Sequence, residues 1–403
     1  MIELAEVVLP GHPDKVCDRI ADLLVDAACA RDPDAMVGVE VAIHRSAVIV
    51  TGCISTNPPL TRDEVETIAR QGLVDAGYVG IWGAPFADLV LFTDLRLEPL
   101  TEGVRSLRSI SDDQAICVGH AVGGPQTRYL PLAHRTAWNA AQLLRAVDNP
   151  AIGPDGKVIV AIRDGEIDGL SLSIHHVLGT PRSALWDVAA VVAKGLGLSS
   201  LEKVKINGGG DFEIGGTLGD NGLSGKKLVV DAYGPTVPIG GGAWSGKDPH
   251  KIDRVGALRA RQVALRAVRR GLGRSATVTL GWYPGDAVPS HVQLEVDGTV
   301  RPVSLLGPVD WSISGSWQRL GLGHVSFAEG ADGGWFQRSA PWEFDWSVHR
   351  LGGSPPSRDA CAPTEVGRVG AKTKIQQSRP RKTLADCYRN AASALSVQFE
   401  EPG

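Results

Sequence analysis

Apolar residues along the chain follow two spacings, and each spacing predicts one type of element. Short apolar or alternating runs predict strands at 2–9, 37–55, 89–95, 158–162, 170–174, 277–282 and 292–296, with a turn at 44–46 inside the second run. Spacings of three and four predict helices at 61–76, 133–147, 183–197 and 249–270, and another that begins after Gly11. Strand pairs that recur between helices favour an α+β fold over a doubly wound parallel sheet.

The helix after Gly11 begins with a cluster of polar residues. His12, Asp14 and Lys15 lie at its N-terminus, where an acidic side chain interacts well with the helix dipole even without a functional role. Apolar positions at helical spacing predict one buried face, and Asp18, Asp22 and Asp26 lie on the other side. A functional interpretation of His12 and Asp14 therefore depends on a partner site elsewhere in the chain.

The stretch 219–254 combines a predicted strand at 228–230 with three consecutive glycines at 240–242. Asp248 and Pro249 then resemble the cap and the first residue of the helix that runs to residue 270. The charged residues near this helix start are Lys247, Lys251 and Asp253. Ammonium groups beside a helix N-terminus attract an oxyanion, and a carboxylate suits a metal ion that bridges such oxygens. The stretch predicts a polyphosphate site, although a Gly-rich hairpin with a solvated basic helix start would also fit.

Composition narrows the class of protein. The 403 residues, 43% of them hydrophobic, are enough for two or three packed domains, and a net charge of −4 argues against a general nucleic-acid binder. Six widely spaced cysteines without a C-x-x-C pair predict free thiols in a reducing compartment. Without a membrane-length apolar run or a signal-peptide pattern, the expected location is the cytoplasm, away from membranes.

Three further segments carry predictions. Residues 96–113 form a polar, Pro-containing connection, which we interpret as a lid or as an ordinary surface loop. The helix that ends at residue 270 is expected to expose most of its arginines. From residue 352 onward, Ser, Pro, Arg and Lys predict a mobile tail with a short helix at 384–397. The predicted domains are 1–108, 109–215 and 216–350, followed by the tail 351–403.

Four long motifs resemble those of S-adenosylmethionine synthetases. The motifs are GHPDK at 11–15, PDGK at 154–157, GDNGLSGKK with VVDAYG at 219–234, and GGGAWSGKDPHKIDR at 240–254. Weaker echoes lie at Asp113-Gln114 and at 340–343. The resemblance implies three similar α+β domains around a pseudo-threefold axis, and a homodimer or dimer of dimers with active sites between subunits. It also implies a reaction in which the sulfur of methionine attacks the ribose C5′ of ATP, and the released triphosphate is then hydrolysed to pyrophosphate and phosphate.

The resemblance also implies a role for each matching residue. His12 would hydrogen-bond the departing oxygen, Asp14 and Asp253 would hold Mg²⁺, and Glu40 would associate with K⁺. The polyphosphate would be bound by Lys157, Lys227, Lys247 and Lys251. Asp155 would face the nucleoside, Phe212 would stack on the adenine, and Asp220 would lie near the ribose or the amino acid.

The amino-acid side departs from the family pattern. Cys53 replaces a glutamate that helps to receive the methionine ammonium, and a neutral thiol cannot pair with a cation. Leu97 or a neighbour replaces a glutamine at the start of the lid, and Lys226 replaces an arginine of the phosphate set, which loses bidentate donors. Asp113 remains as an ammonium partner. Two alternatives therefore stay open, namely a specialised paralogue that uses a modified sulfur amino acid and a non-catalytic nucleotide-binding regulatory subunit.

Overall fold

The computed structural model describes residues 2–337 and 340–343. The predicted tail 351–403, with its helix at 384–397, lies outside the described residues. The strands are β1 (Ile2–Val8), β2 (Met36–His44), β3 (Ala47–Ser55), β4 (Val90–Glu98), β5 (Ala115–Val122), β6 (Ile152–Arg163), β7 (Glu166–His176), β8 (Val204–Ile206), β9 (Gly222–Leu223), β10 (Ser275–Trp282), β11 (His291–Val296) and β12 (Thr299–Arg301).

The α-helices are α1 (Pro13–Arg31), α2 (Arg62–Asp75), α3 (Glu102–Arg105), α4 (Leu132–Arg145), α5 (Arg182–Gly195), α6 (Leu228–Asp231), α7 (Ile252–Arg269), α8 (Ile313–Leu320) and α9 (Phe327–Gly333). Short 3-10 helices lie at Gly80–Trp82, Ala84–Phe86, Pro125–Thr127, Gly216–Leu218, Val303–Leu306, Leu322–His324 and Pro341–Glu343. Every strand and long helix predicted from the apolar spacing is present, apart from the strand at 228–230, and most ends shift by one to three residues.

One arrangement recurs three times along the described chain. A long helix, a strand hairpin and a second helix follow one another as α1-β2-β3-α2, α4-β6-β7-α5 and α7-β10-β11-α8. The sheets have the orders β4-β3-β2-β9, β8-β7-β6-β1 and β12-β11-β10-β5, and the long helix of each unit packs on its own sheet. The predicted α+β fold, built from three similar layered units, is therefore confirmed.

The outer strand next to each hairpin comes from a distant part of the sequence. β1 pairs antiparallel with β6, β5 with β10, and β9 with β2. The predicted boundaries at 108 and 215 therefore do not separate whole sheets. The exchange also brings the end of β1, and the start of α1 that follows it, close to residues 154–157 of β6.

The prediction that the aspartates of α1 lie opposite its buried face, on the exposed side, is wrong for Asp18 and Asp22, which are 1% and 0% exposed. Asp18 Oδ1 accepts a hydrogen bond from the Gly225 amide at 2.7 Å, and Asp22 Oδ1 accepts one from the Gly246 amide at 2.9 Å. Asp26 is half-buried and accepts hydrogen bonds from the start of α9. Buried carboxylates need such donors, so Asp18 and Asp22 hold two loops inside the motif region 219–254, and Asp26 holds the start of α9.

Two local predictions inside 219–254 are also wrong. Residues 228–230 belong to the single turn α6, because three apolar residues in a row fit a helix as well as a strand. The helix α7 begins at Ile252 with Lys251 in the N-cap position, instead of at Asp248-Pro249. Asp248 is fully buried and accepts hydrogen bonds from the Val37 amide at 2.8 Å and from Arg108, so it joins this loop to β2.

The arginines of α7 are less solvated than predicted. Arg259 is 6% exposed and donates to the Asp310 carbonyl at 2.9 Å, since residues 302–312 lie along this side of the helix. Arg266 and Arg270 donate to the carbonyls of Pro308 and Leu306 at 3.2 and 3.1 Å. Within the described residues, no helix is both long and apolar enough to cross a membrane.

Candidate active site

His12 occupies the N-cap position of α1, where it is 2% exposed. Its Nδ1 accepts a hydrogen bond from the Asp14 amide at 3.2 Å, so in the neutral ring the proton is on Nε2. Burial, together with the positive charge of Lys227, lowers the pKa of His12 to about 4. His12 is therefore a neutral imidazole at physiological pH, with an Nε2–H that can donate.

Asp14 follows two residues later and is 1% exposed. Its carboxylate accepts hydrogen bonds from the Leu223 amide at 2.9 Å and from the Lys227 ammonium, and Lys226 Nζ lies 3.4 Å away. Burial alone would raise the pKa of Asp14, but the hydrogen bonds from Lys227 and Leu223 outweigh it, and the pKa is lowered. An ionised carboxylate from α1 thus meets two lysines from the 219–234 motif.

A buried ion triad holds these two motifs together. Lys15 Nζ donates to Asp18 at 3.1 Å and to Asp231 at 2.5 Å, and all three side chains are almost fully buried. Burial raises the pKa of Asp231 to about 7 against the opposing charge of Lys15. The sequence alone does not indicate this triad. Lys15 and Asp18 share one face of α1 at a spacing of three, but the third member requires the tertiary structure.

The second group of charges lies at the start of α7. Lys247 Nζ donates to Asp253 Oδ2 at 2.6 Å, and Lys251 pairs with Asp112 from the end of the 96–113 segment. Gly242 lies directly against Asp253, since a Cβ at this glycine would come within 1.9 Å of Oδ1. Because Gly242 has no side chain, it leaves the space that this carboxylate occupies. This contact explains the glycine more directly than turn formation does.

The predicted metal residues are each paired with another group. Among residues 2–337 and 340–343, no cluster of three or more His, Cys, Asp or Glu side chains is arranged to hold a metal ion. Asp14 binds Lys227 and Asp253 binds Lys247, while Glu40 accepts a hydrogen bond from Ser224 Oγ at 2.6 Å. The structure thus does not bring Asp14, Asp253 and Glu40 together as one set of ligands.

The predicted nucleoside residues lie beside the same loops. Asp155 is buried and accepts hydrogen bonds from the amides of Gly156 and Gly216 at 2.7 and 2.8 Å, and burial raises its pKa to about 6. Lys157, two residues further on β6, is exposed, and its charge contributes to the lowered pKa of His12. Asp220 is exposed and accepts a hydrogen bond from the Asn221 amide at 2.8 Å.

Phe212 lies next to an aromatic group that sequence reasoning did not identify. Its ring centre is 5.3 Å from that of His175, which is in turn 4.6 Å from that of Trp82. The Phe212 amide donates to His176 Nε2 at 3.2 Å, which fixes the backbone at this position. The residue types at positions 82 and 175 do not by themselves indicate an aromatic group, because the two rings come from separate segments and meet only in the folded structure.

The residues predicted on the amino-acid side have separate surroundings. Cys53 is a half-buried free thiol whose Sγ lies 3.6 Å from Glu98 Oε1. Asp113 is exposed, and its Oδ1 accepts a hydrogen bond from the Gln114 amide at 2.7 Å. Cys17, Cys29 and Cys117 are also free thiols, as predicted.

The predicted lid 96–113 is tied to the rest of the protein at several points. It contains the end of β4 and the single turn α3. Arg105 Nη2 donates to Asp32 at 2.7 Å, and Arg108 donates to the Ala35 carbonyl at 3.1 Å and to buried Asp248. With Asp112 on Lys251, these contacts hold the segment against β2 and α7, and its opening stays a prediction.

Three lysines of the site each form an ion pair with a nearby carboxylate. The pairs are Lys227 with Asp14, Lys247 with Asp253, and Lys251 with Asp112. Ammonium groups that are already positioned by carboxylates can turn to a polyanion when it enters, and the freed carboxylates can then take a cation. The arrangement is suited to binding a metal-bound polyphosphate next to a neutral hydrogen-bond donor, His12.

The chain is similar to proteins of one known family. The family profile described as S-adenosylmethionine synthetase, N-terminal domain, matches residues 1–84, and the profile for the C-terminal domain matches residues 214–347. An S-adenosylmethionine synthase of Methylobacterium radiotolerans is 32% identical over 381 residues, which cover 87% of this chain and 96% of that protein. S-adenosylmethionine synthase 1 of Rhodospirillum rubrum is 36% identical over 312 residues, covering 73% and 81%.

A solved structure shares the fold. It is described as an unusual S-adenosylmethionine synthetase from Campylobacter jejuni, and it superposes with a TM-score of 0.76 at 27% identity. The match covers 85% of this chain and 97% of that one. The similarity therefore extends over almost the whole length of that structure.

Proposed function

Because the chain belongs to the S-adenosylmethionine synthetase family, we propose that it forms S-adenosylmethionine from ATP and methionine at the site around His12. The observation that carries the proposal is the meeting of His12 and Asp14 with Lys226 and Lys227, from motifs more than 200 residues apart. In this reaction the sulfur attacks the ribose C5′, the C5′–O bond breaks, and triphosphate leaves before hydrolysis to pyrophosphate and phosphate.

The lysines balance the charge that grows on the leaving group. Lys226 and Lys227 on one side and Lys247 and Lys251 on the other bind the triphosphate, and Lys157 extends this set from β6. Donors already in place as negative charge develops stabilise the transition state more than the ground state. Asp155 and Phe212 hold the nucleoside, with Asp220 near the ribose.

His12 acts on the oxygen that departs from C5′. Its neutral imidazole donates the Nε2 proton in a hydrogen bond to that oxygen, while the Asp14 amide holds the ring through Nδ1. The low pKa of His12 keeps the ring in this form, so a single tautomer is available for each turnover.

The family is metal-dependent, and the residues present fit a divalent ion that is shared with phosphate. Mg²⁺ is usually held by one or two carboxylates together with substrate oxygens and water. Asp14 and Asp253 would therefore hold Mg²⁺ without forming a cluster of protein ligands. When bound, Mg²⁺ supplies positive charge to the polyphosphate. Glu40 would hold K⁺ in the same region. We also propose a cytoplasmic location, where ATP and methionine are available.

Direct assay tests the activity. The purified full chain, incubated with ATP, Mg²⁺, K⁺ and methionine, should yield S-adenosylmethionine with pyrophosphate and phosphate, separated by chromatography. If the enzyme released triphosphate with another thioether but made no product from methionine, its substrate would be a modified sulfur amino acid. ATP binding without any cleavage would instead support a non-catalytic nucleotide-binding subunit.

Asp112 is expected to compete with the polyphosphate for Lys251, because the two side chains pair directly. The Asp112→Asn variant should bind tripolyphosphate about two- to fivefold more tightly, as expected for the loss of one exposed ion pair. Isothermal titration calorimetry with tripolyphosphate measures this change. The matched control is Asp113→Asn, which should leave the affinity unchanged, and equal affinities of wild type and Asp112→Asn would contradict the competition.

The outward sheet faces support a second copy of this chain as the partner. On the β4-β3-β2-β9 sheet, Ile49, Val90 and Phe92 are 44, 48 and 56% exposed, and Leu4 and Ile159 on the β8-β7-β6-β1 sheet are 53 and 47% exposed. Ile49, Val90 and Phe92 lie next to one another in the β3-β4 pairing, and a contiguous exposed apolar patch is typical of an interface. A two-fold homodimer covers the same face on both copies, and the subunit-shared active sites of the family fit that arrangement.

Charge on this face is expected to disrupt the dimer. In Phe92→Asp, each copy loses an aromatic anchor worth about 2 kcal/mol, and two-fold symmetry doubles the loss, which raises the dissociation constant about 10³-fold. Analytical ultracentrifugation measures the constant. Val191→Asp is the control, since Val191 is 45% exposed on α5, away from these strands. A wild-type chain that sediments as a monomer would refute the dimer.

A further inference from the structure

The outward face of the β4-β3-β2-β9 sheet changes character along its strands. Ile49 pairs with Phe92 in the apolar half. Four residues further along the same strands, Cys53 pairs with Arg96, and Glu98 follows two residues later on the same side of β4. Alternate residues of a strand share one face, so these polar residues continue the surface that the apolar residues begin.

This polar half lies in register with a polyphosphate lysine. Cys53 pairs with Gly38 of β2, and Gly38 forms an isolated antiparallel bridge with Lys247. Neighbouring strands are about 4.8 Å apart, so the backbone of Cys53 lies about 10 Å from that of Lys247, and that of Arg96 about 15 Å. A Cβ placed on Gly38 would have no atom within 4 Å, so the space above Gly38, within this row, is open.

Arg96 and Glu98 form an ion pair at the edge of this space. Arg96 Nη2 donates to both carboxylate oxygens of Glu98, at 3.0 and 3.1 Å, and this hydrogen bonding lowers the pKa of Glu98. Glu98 Oε1 also lies 3.4 Å from Ser55 Oγ and 3.6 Å from Cys53 Sγ. The carboxylate is thus ionised and faces the thiol.

The backbone that carries this pair is held firmly. The Thr56 amide donates to the Glu98 carbonyl at 3.2 Å, and Asn57 Nδ2 donates to the Leu100 carbonyl at 2.9 Å. The side chains themselves are exposed, 74% for Arg96 and 39% for Glu98. An exposed pair of this kind contributes little to stability, so its partners can exchange for a ligand without loss of the fold.

A guanidinium next to a carboxylate is complementary to the two charges of an α-amino acid. We propose that Arg96 and Glu98 bind the amino-acid substrate, with Glu98 receiving the ammonium and Arg96 the carboxylate. This inference rests on the proposed function, which requires a sulfur amino acid beside the polyphosphate. It also accounts for Cys53, because the carboxylate that a neutral thiol cannot supply comes from the adjacent strand.

Steady-state kinetics of the full chain test this inference. Removing a hydrogen bond to a charged group, in Glu98→Gln, should raise the KM for methionine about 10- to 100-fold and leave the KM for ATP within twofold of wild type. The deamino analogue 4-(methylthio)butyrate has no ammonium, so its KM should be the same in Glu98→Gln and in the wild type. Arg96→Gln should raise the KM for methionine in the same way. It should leave the KM for methioninol unchanged, because methioninol has no carboxylate.

Matched variants separate binding from folding. Glu66→Gln breaks a similar exposed pair, in which Arg70 Nη2 lies 2.7 Å from Glu66 Oε1 on α2, and should leave both KM values unchanged. Glu98→Asp keeps the charge and should retain more methionine affinity than Glu98→Gln. A wild-type enzyme that makes product, together with an unchanged methionine KM in Glu98→Gln, would overturn the inference alone. A wild type without product from methionine would overturn the proposed function and this inference with it.

Discussion

Replacing Asp14 by asparagine is expected to lower kcat for S-adenosylmethionine formation about 10³-fold. The amide keeps the size of the carboxylate, but it has no charge to hold a divalent cation or to position Lys227. Since the pKa of Asp14 is lowered, its charge, and the wild-type activity that depends on it, should persist to a pH below the ordinary pKa of an aspartate. The measurement is kcat at saturating ATP and methionine, by chromatographic detection of product.

Two comparisons make the Asp14 result specific. Asp88→Asn changes an exposed aspartate in the same domain and should leave kcat unchanged. Thermal unfolding of both variants shows whether the buried position tolerates the amide. A folded Asp14→Asn protein with kcat within tenfold of wild type would contradict a role for this carboxylate in the reaction, whereas retained ATP binding without cleavage would agree with it.

Replacing His12 by alanine is expected to lower kcat about 10²- to 10³-fold, the usual effect of removing one donor to a developing oxyanion. The donor is the Nε2–H of a neutral ring, because Nδ1 accepts from the Asp14 amide and burial lowers the pKa to about 4. A lowered pKa means that the ring gains a proton only below about pH 4. Between pH 5 and 8, the kcat profile of the wild type should therefore show no limb that arises from His12.

The pH profile provides the stricter test of the His12 assignment. An acidic limb with a midpoint near 6 that disappears in His12→Ala would mean that the ring is protonated near neutral pH, which contradicts the neutral donor. His12→Asn, whose amide can still donate, should retain more activity than His12→Ala. His44→Ala is the control, since His44 is exposed at the end of β2.

Most elements could be predicted from the sequence because they are set by local spacing. The hairpin β2-β3 and the helices α2, α4 and α5 follow directly from alternation and from helical spacing. The motifs that identified the family are also local strings, so residues such as His12, Asp14 and Lys227 could be proposed without coordinates. Their roles stay predictions, but their proximity in the structure supports them.

Most of the wrong predictions concerned charged residues whose surroundings depend on a partner surface. The charged residues Asp18, Asp22 and Arg259 looked solvated because a period shows which side of a helix is polar, not what covers it. In the fold, loops from residues 225, 246 and 310 cover these sides and supply hydrogen bonds. The apolar run at 228–230 was too short for either period to decide.

Which chemical groups the protein carries, and which family it belongs to, can be read along the chain, since both reside in contiguous residues. How those groups pair depends on strand order and on loops that meet across long sequence separations. The end of β1 places His12 and Asp14 beside β6, and the parallel register of β3 and β4 places Glu98 beside Cys53. Neither proximity follows from spacing, because a side chain's neighbour in a sheet is determined by the adjacent strand.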